Sequence, residues 1–176
     1  VANRVFVQTD CDINDGGVIT ASDLQLIGRD IQFDLTHSVG TIAASGRTFT
    51  FRNATALTVG TESTNILNGS QVTTNGIVVS ATAVPEDLLG FIVVETMSGN
   101  LTIDGVVTSN QGSFHQIQSY FPNRLGIAIT EPIYLLAGSA SSAGTSTGGD
   151  VKFTGNASVS ISGTGRIQIF TGSVAG

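Results

Sequence analysis

Short apolar–x–apolar pairs run along the whole chain, among them Leu24/Leu26, Phe49/Phe51, Leu57/Val59, Leu101/Ile103, Val151/Phe153, Val159/Ile161 and Ile167/Ile169. A period of two belongs to a strand with one buried face, and each pair is bounded by Gly, Asn, Asp, Ser or Thr, with corners expected at Gly99-Asn100, Gly155-Asn156 and Ser162-Gly163. Helical spacing is almost absent. The pairs also recur at intervals. One line of apolar positions runs Leu26, Phe51, Ile77, Leu101, Leu125, Val151, in steps of 24 to 26 residues. A second runs Ile42, Leu67, Ile92, Ile117, Ser142, Ile167, in steps of 25, and a patchier third runs Phe33, Val59, Val84, Ser109, Ile133, Val159. A unit with three such short strands cannot bury its apolar face alone and must stack on copies above and below. Parallel strands joined by crossovers wind right-handed in nearly every known case. The expected fold is therefore all-β: a right-handed parallel β-helix of about seven coils of roughly 25 residues, about 30–35 Å long at the usual strand spacing.

Composition supports a folded β-chain and removes several functional classes. Ser and Thr fill nearly a quarter of the sequence, Gly numbers 22 and charged residues only 11%, against about 25% charged in ordinary domains. Apolar residues nevertheless reach 40%, many of them β-branched, which argues against disorder. The net charge of −6, with a single lysine, Lys152, leaves no cationic footprint for nucleic acid or an anionic membrane. No apolar run is long enough to span a bilayer as a helix. Cys11 is the only cysteine, so no intrachain disulfide or thiolate metal cluster can form. It reads as a small buried apolar residue, with a reactive thiol as the alternative. The chain opens directly in the strand-like Val5-Phe6-Val7, without Met or a leader, and is read as one β-helix segment, 1–176, of a longer polypeptide.

Three stretches break the rhythm and are expected to leave the coils as loops: Pro85-Glu86-Asp87, Asn110 to Asn123, and the Gly/Ser/Ala/Thr stretch Gly138 to Gly149. Function in solenoids often sits in such insertions. The middle one holds Phe114, His115, Tyr120 and Phe121, the candidate ligand-binding loop; its aromatics either stack on sugars and anchor a partner or fold back over the coil.

The runs Gly17-Val18-Ile19-Thr20-Ala21-Ser22-Asp23-Leu24-Gln25-Leu26 and Gly149-Asp150-Val151-Lys152-Phe153-Thr154-Gly155-Asn156-Ala157-Ser158-Val159-Ser160-Ile161 resemble coils of the filamentous-haemagglutinin type. That family comprises long bacterial exoproteins, released through a partner outer-membrane pore or as autotransporter passengers, with right-handed β-helical shafts. The resemblance implies a secreted or surface-displayed adhesin shaft that mediates attachment or builds a matrix or filament. Its partners would be a host or neighbouring-cell surface, with carbohydrate recognition and end-to-end self-association as further options. The secretion-domain signatures of such exoproteins are not found here.

Other chemistry is thinly represented. Asp10, Asp12, Asn14, Asp15, Gly16, Gly17 and Asp23 resemble a calcium loop counted from Asp12, with oxygen ligands at one, three and twelve. Position five is Gly16, however, and the flanks read as strands, so an Asx-rich turn is the competing reading. The expectation is no metal and no cofactor. Carboxylate pairs for sugar cleavage are sparse: Glu86/Asp87, Asp10/Asp12 and the isolated Asp104 and Asp150. His37 and His115 have no second imidazole at metal-ligand spacing and read as exposed loop residues. The chain is thus read as non-enzymatic, with a carbohydrate-active β-helix domain and an end-to-end fibre subunit as alternatives. Four glycosylation sequons, at Asn53, Asn68, Asn100 and Asn156, are close to what composition alone produces.

Overall fold

Alternating Val, Ile, Leu and Phe make strands wherever the sequence pairs them, because branched and aromatic side chains pack well on a pleated surface. In a computed structural model that describes residues 3–80, 90–110, 131–141, 148–163 and 165–172, all regular structure is β. The strands are β1 (Arg4–Gln8), β2 (Ile13–Asn14), β3 (Thr20–Ile27), β4 (Asp30–Gly46), β5 (Thr48–Asn53), β6 (Leu57–Val59), β7 (Thr61–Asn65), β8 (Gln71–Asn75), β9 (Ile77–Val79), β10 (Ile92–Thr96), β11 (Leu101–Ile103), β12 (Val106–Ser109), β13 (Ile133–Ala137), β14 (Val151–Phe153), β15 (Ser158–Ile161) and β16 (Ile167–Thr171). Among the described residues every strand pairing is parallel except that of β7 with β8.

Register lines like residues up in columns. On one sheet Ile13, Ile31, Phe49, Ile92, Ile133 and Ile167 pair in succession, beside Phe33, Phe51, Val94, Leu135 and Ile169. On the other, Val5, Leu24, Ile42, Val59, Ile103 and Phe153 form one column, and Val7, Leu26, Ala44, Ile77, Val107 and Val159 the next. The long β4 belongs to both sheets, and its register against β5 shifts between Phe33 and Thr36. Side chains of both sheets meet in one apolar cluster in which Leu24, Ile42, Phe49, Ile92, Ile103 and Ile133 are fully buried.

The uniform 25-residue period is corrected by these registers. Successive partners along the Ile13 column lie 18, 18, 43, 41 and 34 residues apart. Of the second expected line, Ile42 pairs with Val59 on one sheet, Ile92 and Ile167 lie on the other, and Leu67 is fully exposed at the β7–β8 turn. From the first line, Leu26 and Ile77 do share a column through Ala44, and Leu101 pairs directly with Val151. Segments inserted between stacked strands, such as the β7–β8 hairpin between β6 and β9, lengthen some steps and not others. Ile117, Leu125, Ser142, Val84, Pro85-Glu86-Asp87, most of the Asn110–Asn123 stretch and residues 142–147 lie outside the described residues.

Expected corners are met at glycines: Gly99, Gly155 and Gly163 all take positive φ, where a side chain is disfavoured. Gly76 does the same where β8 turns into β9.

Candidate functional site

Phe114, His115, Tyr120 and Phe121 lie outside the described residues. The polar chemistry that can be placed gathers instead around β2, the bend of β4 and the hairpin.

His37, Asn53 and Thr96 occupy one column at the bend, and all are fully buried. Each satisfies backbone groups that the bend would otherwise leave without partners. His37 Nδ1 accepts the Ile19 N–H at 3.0 Å, so the proton sits on Nε2, which faces Asp15 Oδ2 at 3.2 Å. Phe33 and Phe51 flank the ring at 5.1 and 5.3 Å between centroids. Asn53 accepts the Val39 N–H and donates to the carbonyls of Val39, Thr55 and Ala56. Thr96 donates to Gly99 O and accepts the Gly138 N–H. His37, read from sequence as an exposed loop residue, is therefore a buried bridge. Its partner Asp15 stands 22 residues away in sequence, and only the stacking brings them together.

Burial lowers the His37 imidazole below its ordinary 6.5, against the opposing pull of the Asp15 hydrogen bond. The folded protein thus binds this proton less readily than the unfolded chain. The stabilisation is complete above about pH 6.5 and shrinks as pH falls below it. We expect urea midpoints to drop between pH 7.5 and 5.0, and His37→Phe to remove that part of the slope. Equal pH slopes for the two proteins would contradict the assignment.

Asp15 also accepts the Leu35 N–H at 2.6 Å and lines an open polar groove of about 360 Å³ with Asn14, Gly16, Gln32, Asp34 and Leu35. Asp15, part of the calcium-loop-like run, and Asp34, unremarkable in sequence, line the same groove because β2 pairs with β4. The groove offers amides and carboxylates to hydroxyl-bearing molecules. The calcium-loop alternative fares differently. The Asp12 carboxylate is held by Arg29 at 2.7 Å, which keeps its pKa below the ordinary value, while Asp23 lies 3.8 Å from Arg4. Among the described residues no three His, Cys, Asp or Glu side chains group as a metal site. Cys11, expected as a buried apolar residue, is exposed.

The β7–β8 hairpin packs on β3 and β4 through polar contacts. Buried Gln25 donates to Val72 O and Thr74 Oγ1 and accepts from Thr64 Oγ1. Arg4 donates to Ser63 O and lies 3.1 Å from Glu62 Oε2, close enough for charge pairing but not aligned as a hydrogen bond. Burial raises the Glu62 carboxyl, nearby Asp23 adds to this, and Arg4 opposes it. At the hairpin turn Asn65, Ile66, Leu67 and Asn68 form a shallow cleft with Phe6. The sequons separate here as well: Asn53 is locked in the core, whereas Asn68 and Asn156 are exposed.

The described residues define a class, an all-β chain of mostly parallel strands joined by segments of unequal length. Compared with protein-family models, curated proteins and solved structures, the chain matches none.

Proposed function

We propose that this chain is a segment of a right-handed parallel β-helix serving as a structural and adhesive shaft of a secreted or cell-surface protein, with no catalytic role. The observation that carries the reading is the set of parallel columns, each adding one aliphatic or aromatic side chain per strand to a common interior. Such an architecture spends its sequence on stiffness and leaves contact to its outer faces and insertions. Attachment in this reading is to hydroxyl-rich carbohydrate on a host or neighbouring cell, supported by the groove of Asn14, Asp15, Gln32 and Asp34.

The test is binding of the chain to a panel of immobilised polysaccharides and cell surfaces, with reducing ends measured in parallel. Gln32→Ala with Asp34→Ala is expected to weaken binding at least tenfold without shifting the melting temperature. Binding to no surface would remove the adhesive role. Release of reducing ends would instead favour the carbohydrate-active enzyme reading, in which Asp15 and Asp34 become the carboxylates to test.

A further inference from the structure

Asn-Gly is the dipeptide in which a side-chain amide meets the least shielded backbone nitrogen, because glycine has no side chain to stand in the way. It occurs twice in the chain, at Asn68-Gly69 and Asn75-Gly76, one at each end of β8. Both asparagines are exposed, so water reaches each. The backbone around them differs. Gly69 is exposed at the hairpin turn with φ +81°, nothing stands within 4 Å of where a Cβ would be, and its N–H donates to Ile66 O at 2.9 Å inside the turn. Asn68 Oδ1 accepts the Ser70 N–H at 2.9 Å, which draws electron density away from Cγ. Gly76 is buried instead, with its N–H on Gly60 O and its carbonyl taking the Ala44 N–H, and the Val106 main chain stands against it. Asn75 is paired with Thr61 in the ladder and its Oδ1 accepts the Thr61 hydroxyl.

We propose that Asn68 is a site of self-modification, at which the Gly69 nitrogen closes on the Asn68 side chain and water completes the exchange of amide for carboxylate. Hydroxide removes the Gly69 N–H proton, the nitrogen bonds to Asn68 Cγ, and the Cγ–Nδ2 bond breaks as Nδ2 takes a proton from water and leaves as ammonia. Water then opens the cyclic imide. Cleavage between the nitrogen and Cγ leaves aspartate at position 68, and cleavage between the nitrogen and the main-chain carbonyl carbon leaves isoaspartate. Closure needs rotation about the Asn68 backbone, which at the hairpin tip breaks only bonds within the turn, Gly69 N–H to Ile66 O and the Ile66 and Ser70 main-chain pair. At Asn75 the same rotation would pull apart the ladder with Thr61 and both main-chain bonds of Gly76. The change is confined to the hairpin, since no residue from 61 to 75 belongs to the apolar cluster. Its effect falls on the shallow cleft of Phe6, Ile66 and Leu67, where an amide on the rim becomes a carboxylate.

The experiment follows the whole chain through weeks in mildly alkaline buffer. Fragment-ion sequencing of its peptides places each gain in mass, and enzymatic methylation counts isoaspartate. In the folded chain Asn68 is expected to convert at least about tenfold faster than Asn75, because fraying a hairpin tip costs less free energy than breaking a ladder. Unfolded in urea, the two dipeptides should convert at similar rates. Gly69→Ala, which sets a methyl group beside the closing nitrogen, should slow conversion at Asn68 and leave Asn75 as it was. The melting temperature should stay that of fresh protein while conversion proceeds. Equal rates at the two sites in the folded chain, or conversion of Asn68 in urea alone, would overturn the proposal. A melting temperature that falls in step with conversion would overturn its confinement to the hairpin.

Discussion

Phe49→Ala is expected to cost the fold about 3–5 kcal/mol, the range for emptying a phenylalanine site that its surroundings cannot refill. Phe49 is fully buried and sits in register between Ile31 and Ile92, its ring centroid 6.3 Å from that of Phe51. The hole would open in the middle of the stack, where strands on both sides are fixed by their own hydrogen bonds and cannot close over it. The same truncation at Phe153, in β14 and half exposed, should cost no more than about 1 kcal/mol, since much of its surface already faces water. Urea unfolding of the two variants measures the contrast. A similar loss at both sites would mean that Phe49 is not enclosed between strands.

Gly76→Ala should be as damaging for a different reason. Gly76 has φ +72°, and a Cβ there would stand 1.8 Å from Val106 O and 2.5 Å from Val106 N. Its own backbone is committed on both sides, its N–H donating to Gly60 O and its carbonyl accepting the Ala44 N–H, each at 2.8 Å. The obstacle is main chain, so no rotamer change relieves it. Positive φ for a residue with a side chain together with backbone displacement costs about 3–5 kcal/mol. At Gly16, where an added Cβ meets nothing within 4 Å, alanine should change stability by less than about 0.5 kcal/mol. Melting curves of the two alanine variants separate these outcomes, and a near-neutral Gly76→Ala would mean that β8 does not re-enter the sheet at this glycine.

Much of the fold is legible in the sequence, because strand formation is local. The pairs at Phe49/Phe51, Leu101/Ile103 and Ile167/Ile169 all fall in strands, and the glycines expected at corners, Gly99, Gly155 and Gly163, take the conformations corners need. Stacking register is a different quantity. It depends on how much chain lies between strands, and insertions such as β7–β8 carry no apolar phase of their own. Leu67 matched a 25-residue spacing by composition, yet it sits at the hairpin turn in water. Phe153 and Ile169 carry the right pattern for burial and remain half exposed, because nothing described stacks beyond them. The site was less legible still. Asp15 with His37 and Asp15 with Asp34 are separated in sequence and meet only through the pairing of β2 with β4, so no motif marks either pairing. An offset of 18 residues between Ile13, Ile31 and Phe49 was the one signal available, and the longer later steps obscured it.

The most direct test of the account is a set of nuclear Overhauser contacts on methyl-labelled protein. Stacking in the described register predicts contacts linking Ile92 with Ile133, Ile133 with Ile167, and Ile42 with Val59, and none from Ile42 to Leu67. Contacts joining Ile42 to Leu67, with the Ile92–Ile133–Ile167 series missing, would contradict it.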